Sequence, residues 1–250
     1  MLDSISQPDK SLSAATIQPP ALIKKSYNRR YSLYLKFSFI FIYLRHFIAQ
    51  LLILKPFFRI FFNLKVYGLE KTKNAGGPLI IISNHKHMLD SFVITAALPF
   101  FSSVIPMRAM AETKHFRSPY LNFLLRVGIV QFVYWWFSAF PVIRGEGIEK
   151  ALIKPRKIIT EGGVVLIHPE GRVVKNYDIE IFKRGAAILA QSTNTPILPI
   201  ALRITKKSGK IRPFYIINFG DTFVLPRNVS DEEGSEMLRK LVIKLYQEIS

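Results

Sequence analysis

Residues 78–91 read PLIIISNHKHMLDS, an apolar run that ends in a cluster of ionisable side chains. The run at 78–82 predicts a buried strand, and chemistry in α/β folds is commonly placed just after such a strand, where His85 and Asp90 lie. Three more strand-like runs alternate with helical sequence, at residues 164–167, 197–201 and 214–219. The alternation predicts an α/β domain with a mixed, mostly parallel sheet flanked by helices.

The composition limits the chemistry and indicates the partners. The 250 residues contain no cysteine, which excludes a disulfide framework, a thiolate metal site and a cysteine nucleophile. Lys and Arg number 35 against 17 Asp and Glu, which gives a net charge of +18. Such an excess favours anionic partners, namely membrane lipid, nucleic acid or a phosphorylated substrate.

The N-terminal part is predicted to associate with a membrane. Residues 1–30 are polar and lack the pattern of a cleaved signal, so we expect a disordered tail. Residues 31–64 are apolar and aromatic but are interrupted by basic side chains. We expect a pair of helices here, broken near Pro56 and embedded in one leaflet, with the basic side chains reaching anionic headgroups.

Two other interpretations of residues 31–64 stay open. One is a transmembrane helix, which Arg45 and His46 disfavour because a charge at mid-membrane costs about 2.5–3.5 kcal/mol. The other is a buried helix pair of a soluble protein. Residues 65–250 then form the α/β domain, and residues 231–249 have the apolar spacing of a closing amphipathic helix.

His85 and Asp90 are the candidate catalytic pair. They lie five positions apart, so they would point away from each other on one helix. They can meet if His85 lies in the loop and Asp90 in the first turn of the following helix. Asp90 would then accept the imidazole N–H and fix the tautomer, which leaves the other ring nitrogen free to act as a general base.

Two other interpretations of this cluster compete with a catalytic pair. His85 and His87 resemble paired zinc ligands of metal hydrolases, but Asp90 is followed by Ser91 rather than by the histidine that such a site needs. The other interpretation is a loop histidine beside a helix-capping aspartate, with no chemistry. We predict no metal site.

Three further strand ends agree with a site at this edge. His168-Pro-Glu170-Gly171-Arg172 follows one apolar run, and Phe-Pro-Val-Ile-Arg144 forms a second end. A third, Thr-Pro-Ile-Leu-Pro199, carries no ionisable group.

With these blocks in order, the sequence resembles the glycerolipid acyltransferase family, which contains bacterial 1-acylglycerol-3-phosphate acyltransferase. The blocks stand here as NHKHMLD, FPVIRGEG, HPEGR and TPILPIAL, and the likeness covers residues 68–219. The resemblance implies transfer of an acyl group from an acyl-carrier protein or coenzyme A thioester to a lysophospholipid hydroxyl, forming phosphatidic acid. It implies no cofactor beyond that co-substrate.

The resemblance also implies residue roles. His85 would be the general base and Asp90 its orienter, while Arg144 would contact the acceptor phosphate, which a guanidinium can bind bidentately. The predicted substrate-binding residues are Asn84, Arg144, Glu170, Gly171, Arg172 and Pro199. Direct attack by the acceptor hydroxyl needs no serine nucleophile, and the sequence contains no GxSxG motif.

The chain departs from the family pattern at several positions. His168 stands where the family usually has phenylalanine, and Arg172 follows Gly171 directly, with Val173 at the usual arginine position. Glu112 falls where a phosphate-binding lysine is common, with Lys114 two residues on. The acceptor is therefore lysophosphatidic acid or another lysolipid with a different head group.

The aromatic run at residues 132–140 is predicted to face the membrane or line the acyl site, with a core stripe as the alternative. A non-catalytic membrane-surface or nucleic-acid-binding protein is the hypothesis from another class. No nucleic-acid module is recognisable, so we expect no nucleic-acid partner. The expected location is a membrane surface, at the cytoplasmic face of a bacterial inner membrane.

Overall fold

The computed structural model describes residues 40–112, 118–142, 147–174, 178–206 and 209–250. The predicted tail at 1–30 and the start of the predicted helix pair lie outside these ranges. So does Arg144, the predicted phosphate contact.

One mixed sheet organises the described residues. Its strands are β1 (Asn63–Tyr67), β2 (Leu79–Ser83), β3 (Met107–Glu112), β4 (Phe140–Val142), β5 (Val164–Ile167), β6 (Ile197–Thr205) and β7 (Phe214–Phe219). They lie in the order β1-β7-β6-β2-β5-β3-β4. The strands from β6 to β4 run parallel, while β7 is antiparallel to β6 and parallel to β1. The predicted fold class is confirmed.

Helices cover both faces of this sheet. They are α1 (residues 40–49), α2 (Lys55–Phe61), α3 (Asp90–Ala97), α4 (Pro119–Arg126), α5 (Ile129–Trp136), α6 (Ile148–Thr160), α7 (Gly185–Thr193) and α8 (Asp231–Gln247). One core cluster joins the sheet to α6, α7 and α8, and the other joins it to α2 and α3. Every residue of β2 is buried, as expected for a central parallel strand covered on both sides.

The predicted closing helix is present as α8. Ser230 and Glu233 form a reciprocal capping box at its start, which satisfies two backbone N–H groups. Two strands were not predicted. β1 follows the apolar sequence of the preceding helix with no residue that indicates a turn. β3 has the sequence MRAMAE, which lacks the β-branched residues typical of a strand.

The predicted helix pair is one continuous helix, Ile40–Phe61. Its two α-helical halves, α1 and α2, are joined by a π-helical turn at Gln50–Leu54. The Lys55 N–H donates to the Gln50 carbonyl, five residues back. This wider turn accommodates Pro56, which lacks an N–H, so the helix continues through the proline instead of breaking there.

Two of the three Lys and Arg side chains of this helix that were expected to reach lipid headgroups bind the protein instead, while the third, Arg59, is exposed. Arg45 donates from Nη1 to the Trp135 carbonyl at 2.8 Å and from Nη2 to Ser138 Oγ at 3.1 Å. Lys55 Nζ donates to the carbonyls of Ala96 and Leu98, at 2.9 and 2.8 Å. Both side chains thus occupy helix C-termini, where cations are favoured.

Two neutral polar side chains reinforce the same attachment. His46 Nε2 donates to the Phe137 carbonyl at 3.0 Å, and Gln50 Nε2 donates to the Thr95 carbonyl at 2.5 Å. The polar side of helix Ile40–Phe61 is therefore held against the C-terminal ends of α3 and α5.

The opposite side of the helix is apolar and exposed. Its exposed residues are Ile40, Phe41, Leu44, Leu51, Leu52, Ile53, Phe57, Ile60 and Phe61. A helix buried in the core of a soluble protein does not leave such a face open. By length and composition alone, this helix is long and apolar enough to cross a membrane.

The aromatic run at 132–140 has no single environment. Phe132 and Trp135 are exposed on α5, whereas Phe140 begins β4 and is buried. Neither a continuous membrane-facing stripe nor a continuous core stripe describes it.

Candidate active site

The site lies where two central strands end side by side. β2 and β5 are parallel neighbours, with Ile82 opposite Ile167. The residues that follow the two strands therefore lie together at the carboxyl edge of the sheet. They are Asn84 and His85 after β2, and His168 to Glu170 after β5. This is the edge at which α/β folds bind ligands.

The predicted contact between His85 and Asp90 is present. His85 lies in the loop after β2, Asp90 is the first residue of α3, and His85 Nδ1 is 2.8 Å from Asp90 Oδ2. The carboxylate accepts at Nδ1, so the second ring nitrogen, Nε2, is the one left for proton transfer. The His85 side chain keeps 20% of its exposure while that of Asp90 is fully buried.

Asp90 is held as an anion by several donors. The backbone N–H groups of Lys86 and His87 donate to Oδ2 at 2.6 and 2.9 Å. Burial raises the pKa of Asp90, but the hydrogen bond from His85, the adjacent histidines and the His87 N–H outweigh it, so the pKa lies below its usual value. The carboxylate is therefore ionised and fixed.

Tyr215 is a functional candidate that the sequence analysis missed. Its hydroxyl, from the buried strand β7, donates to Asp90 Oδ1. Burial and the Asp90 charge raise the pKa of Tyr215, so the phenol stays a donor. Its ring packs against Phe58 and Phe62. The only sequence signal is a tyrosine at an inward position of an apolar strand, and nothing in that pattern identifies its partner.

His168 lies directly on the catalytic candidate. Its ring stacks on that of His85, with centroids 4.2 Å apart and planes 7° from parallel. Nδ1 is 3.1 Å from the Ser83 carbonyl, which can only accept, so Nδ1 carries the proton and Nε2 accepts from the Ser91 hydroxyl at 3.2 Å. Burial, aided by nearby His85, lowers the pKa of His168 to about 4, so its ring is neutral near pH 7.

Glu170 fixes the backbone of the site. Its Oε2 accepts from the His85 N–H at 2.6 Å and its Oε1 accepts from the Glu180 N–H at 3.1 Å. Burial raises the pKa of Glu170, against the effect of these two N–H groups. Both oxygens are thus used inside the protein, where they join the two strand ends to the loop that follows.

Gly171 and Arg172 shape that loop. Gly171 has a φ of 68°, and a Cβ there would lie 2.8 Å from Lys183 Nζ, so glycine suits the turn. Arg172 donates from Nε and Nη2 to the two carboxylate oxygens of Glu180, at 2.9 and 2.8 Å. Its guanidinium is therefore paired with Glu180, and the predicted substrate contact stays a prediction.

Asn84 and Pro199 have structural contacts. The Asn84 side chain donates to the Leu202 carbonyl at 2.8 Å and accepts from the Leu202 N–H at 2.7 Å, which ties β2 to β6. Pro199 is buried in β6 opposite Ile82. These contacts use both polar ends of the Asn84 amide, and the predicted substrate roles of the two residues stay predictions.

The zinc interpretation finds no donor set in the part of the chain that the structure describes. No group of three or more His, Cys, Asp or Glu side chains there is placed to hold a metal ion. His87, the second histidine of the motif, accepts from the Leu89 N–H through Nδ1 at 3.2 Å.

Known proteins are similar to this chain in sequence and in fold. A family model described as Acyltransferase matches residues 63–203, more than half of the chain. The chain is 26% identical over 189 residues to "1-acyl-sn-glycerol-3-phosphate acyltransferase BAT2, chloroplastic" from Brassica napus, covering 72% of this chain and 48% of that protein.

Two more curated relatives are similar over shorter stretches. N-acylphosphatidylethanolamine synthase from Arabidopsis thaliana is 32% identical over 145 residues, 54% of this chain and 48% of that protein. The 1-acyl-sn-glycerol-3-phosphate acyltransferase from Borreliella burgdorferi is 31% identical over 129 residues, 50% of this chain and 45% of that protein. The chain spans about half the length of the curated relatives it matches.

A solved structure has a similar fold. The crystal structure of the 1-acyl-sn-glycerophosphate (LPA) acyltransferase PlsC from Thermotoga maritima aligns with a TM-score of 0.55 at 17% identity, covering 88% of this chain and 92% of that chain. At this identity the likeness concerns the fold alone, and it extends over nearly the whole of both chains.

Proposed function

Since the chain belongs to the Acyltransferase family, we propose that it transfers a fatty acyl group from a thioester to the free hydroxyl of 1-acylglycerol-3-phosphate, forming phosphatidic acid. The observation that carries this proposal is the 2.8 Å contact between His85 Nδ1 and buried, ionised Asp90 at the carboxyl edge of the sheet. It leaves Nε2 of His85 as the ring nitrogen that can act as a base. A base of this kind suits activation of a hydroxyl that the substrate brings.

The reaction is one direct displacement. The acceptor hydroxyl attacks the thioester carbonyl carbon while its proton moves to Nε2 of His85, and the resulting imidazolium is stabilised by Asp90. The tetrahedral intermediate then expels the thiolate of the carrier, which takes the proton from His85 and leaves as a thiol. The products are the ester and free coenzyme A or acyl-carrier protein.

The surrounding residues hold the base in place during this cycle. Glu170 fixes the His85 backbone through its N–H, and His168 covers one face of the ring. Because general base catalysis supplies roughly 10²- to 10⁴-fold, substrate positioning and stabilisation of the oxyanion must supply the remaining acceleration.

A second acceptor class is favoured by specific observations. Arg172 is paired with Glu180, so it is not presented as an open phosphate-binding group. One relative, 32% identical, is named N-acylphosphatidylethanolamine synthase, after a lipid that is acylated on its head-group nitrogen and whose head group is a phosphodiester. The alternative is therefore the same chemistry on another lysolipid whose head group lacks a phosphomonoester.

The proposed location is a membrane surface. The polar side of helix Ile40–Phe61 is bound to α3 and α5, and its apolar side is open. Crossing a bilayer would require Arg45 and Lys55 to leave their carbonyl partners, so we place the helix in one leaflet. The net charge of the whole chain, +18, suits an anionic leaflet, such as the cytoplasmic face of a bacterial inner membrane.

An acceptor panel tests the function. The full chain in mixed micelles is given lysophosphatidic acid, lysophosphatidylethanolamine or lysophosphatidylglycerol, each with acyl-coenzyme A and, separately, with acyl-carrier protein loaded with a fatty acyl thioester. Turnover highest on lysophosphatidic acid supports the leading proposal. Turnover confined to the other two acceptors would replace it with the alternative, and no turnover on any pairing would reject both.

A further inference from the structure

A second apolar surface lies beside the apolar helix, and neither the catalytic site nor the sheet accounts for it. It is formed by α4 and α5, a helical hairpin turned by Gly128. No residue of α4 is buried. The exposed large apolar residues of the hairpin are Tyr120, Phe123, Val127, Ile129, Phe132 and Trp135.

This exposure is unusual for a protein surface in water. Phe123, Phe132 and Trp135 keep 59%, 56% and 53% of their exposure on two consecutive short helices. Single exposed apolar residues are common, but contiguous apolar patches usually mark a contact with a membrane or another protein. Aromatic side chains in particular are enriched at the membrane interface.

The hairpin surface is continuous with the apolar face of helix Ile40–Phe61. The Arg45 guanidinium lies 5.0 Å from the centroid of the Phe41 ring and 4.3 Å from that of Trp135. Both of these rings are exposed. One guanidinium therefore joins an exposed ring of α1 to an exposed ring of α5, and its hydrogen bond to the Trp135 carbonyl fixes the two helices side by side.

The charges of the two segments indicate the occupant. Residues 40–61 and 119–136 contain Arg45, Lys55, Arg59 and Arg126 but no Asp or Glu. Arg59 and Arg126 are exposed at the C-terminal turns of α2 and α4. An apolar surface flanked only by positive charge is complementary to an anionic bilayer, in which rings enter the interface and guanidinium groups bind phosphates.

We propose that the α4–α5 hairpin is a second membrane-docking element, which inserts the side chains of Phe123, Phe132 and Trp135 into an anionic bilayer together with helix Ile40–Phe61. The proposal rests on the membrane location inferred above but not on the acceptor. α4 follows β3, whose carboxyl end lies at the same edge of the sheet as His85. Docking through the hairpin would thus bring the carboxyl edge of the sheet, where His85 lies, toward the lipid surface.

The chain carries its own reporter for this contact. It contains two tryptophans, Trp135 and Trp136, and both lie on α5. The full chain is mixed with phosphatidylglycerol vesicles, and with matched vesicles whose acyl chains are brominated. Docking predicts a blue shift of the emission of roughly 5–10 nm and quenching by the brominated chains, since indole would enter the interface.

Two variants isolate the hairpin. Phe123→Ser with Phe132→Ser keeps both tryptophans and should lower vesicle affinity about tenfold, because two partly buried rings are lost from the interface. Ile153→Ser is the matched control, since Ile153 is 62% exposed on α6 and outside this surface. Turnover of a short-chain acceptor dissolved below its micelle concentration should be unchanged in both variants, because no surface is needed there, which separates docking from chemistry.

Three results would overturn the proposal. The first is a chain that sediments with anionic vesicles while its tryptophan emission neither shifts nor is quenched, since helix Ile40–Phe61 would then dock alone. The second is a blue shift that grows with protein concentration without vesicles, which would assign the surface to a second copy. The third is a chain that binds no vesicles. Tryptophan quenching with no turnover on any acceptor would uphold the docking element and reject the proposed function.

Discussion

Two regions of this molecule place polar side chains among apolar ones, where each polar group needs a hydrogen-bond partner. The two regions find these partners at different separations along the sequence. In the site, Asp90 is bonded to three residues within five positions of it. In helix Ile40–Phe61, Arg45 and Lys55 are bonded to residues 41 to 93 positions away. The local network prepares a base, whereas the distant one attaches a helix. We therefore expect site variants to change turnover and helix variants to change stability.

The largest effect is expected for His85→Ala. Without the base, the acceptor hydroxyl has no proton acceptor, so turnover should fall roughly 10²- to 10⁴-fold. His87→Ala is the matched control, since His87 lies in the same motif but is exposed, and its Nδ1 accepts from the Leu89 N–H of its own loop. The measurement is acyl transfer in mixed micelles with melting temperatures of both variants. Equal turnover by the two variants would contradict the assignment of His85.

His168 should make stability depend on acid pH. With a folded pKa of about 4 against 6.5, the unfolded chain binds a proton between these values that the folded chain does not. The free energy of unfolding should therefore fall as pH is lowered through this window, by on the order of 3 kcal/mol, and level off below it.

Denaturant unfolding of the wild type and of His168→Phe at several pH values tests this. Phenylalanine keeps a ring beside His85 and cannot titrate, so its curve should be flatter between about pH 6.5 and 4. The pKa of Glu170 is raised, so this residue changes the free energy of unfolding with pH in the opposite direction. Glu170 is present in both proteins, so its contribution cancels when the two curves are subtracted. Parallel curves would show that His168 is not held neutral.

Arg45→Met tests the attachment of helix Ile40–Phe61, the second of the two regions. The variant keeps an apolar side chain in the helix but leaves the Trp135 carbonyl and the Ser138 hydroxyl without this donor. We expect a loss of about 2 kcal/mol in the free energy of unfolding, with turnover per folded molecule nearly unchanged. Arg59→Met, on the exposed side of α2, is the control. A stable Arg45→Met that had lost turnover would break the division between the two regions.

Tyr215→Phe should have the smallest effect on turnover among the site variants. Tyr215 contacts both regions, since its hydroxyl binds Asp90 of the site and its ring packs on Phe58 of the apolar helix. The substitution removes one donor from Asp90 but leaves the ring packed on Phe58 and Phe62. Because Asp90 keeps its local donors, we expect kcat to fall about tenfold with KM unchanged, the loss of one charge-assisted hydrogen bond. Steady-state kinetics measures this, and a changed KM at constant kcat would contradict a positioning role.

The same difference in range explains what the sequence could predict. The strand before His85 and the spacing to Asp90 are local patterns, so their contact was predictable from residues 78–91. The contact of Tyr215 with Asp90 joins residues 125 positions apart and depends on β7 running antiparallel to β6. No local pattern carries that information.

For the apolar helix, the sequence led to a wrong prediction about the partners of its basic side chains. Basic residues in an apolar segment led to the expectation that they reach lipid headgroups, yet Arg45 and Lys55 bind the C-termini of α5 and α3. A sequence shows that a charge needs a partner but not whether the partner is lipid or protein. Likewise, the proline near the centre predicted a break, which the π-helical turn avoids.

Arg239, near the C-terminal end of the sequence in α8, holds a segment beside the site. Its guanidinium donates to the carbonyls of Ile179 and Glu180, at 2.9 and 3.1 Å, and so holds the segment whose N–H binds Glu170. The ribosome makes helix Ile40–Phe61 long before it makes Arg239. In a nascent chain, the exposed apolar helix therefore exists before Arg239 can hold the segment whose N–H binds Glu170 behind His85.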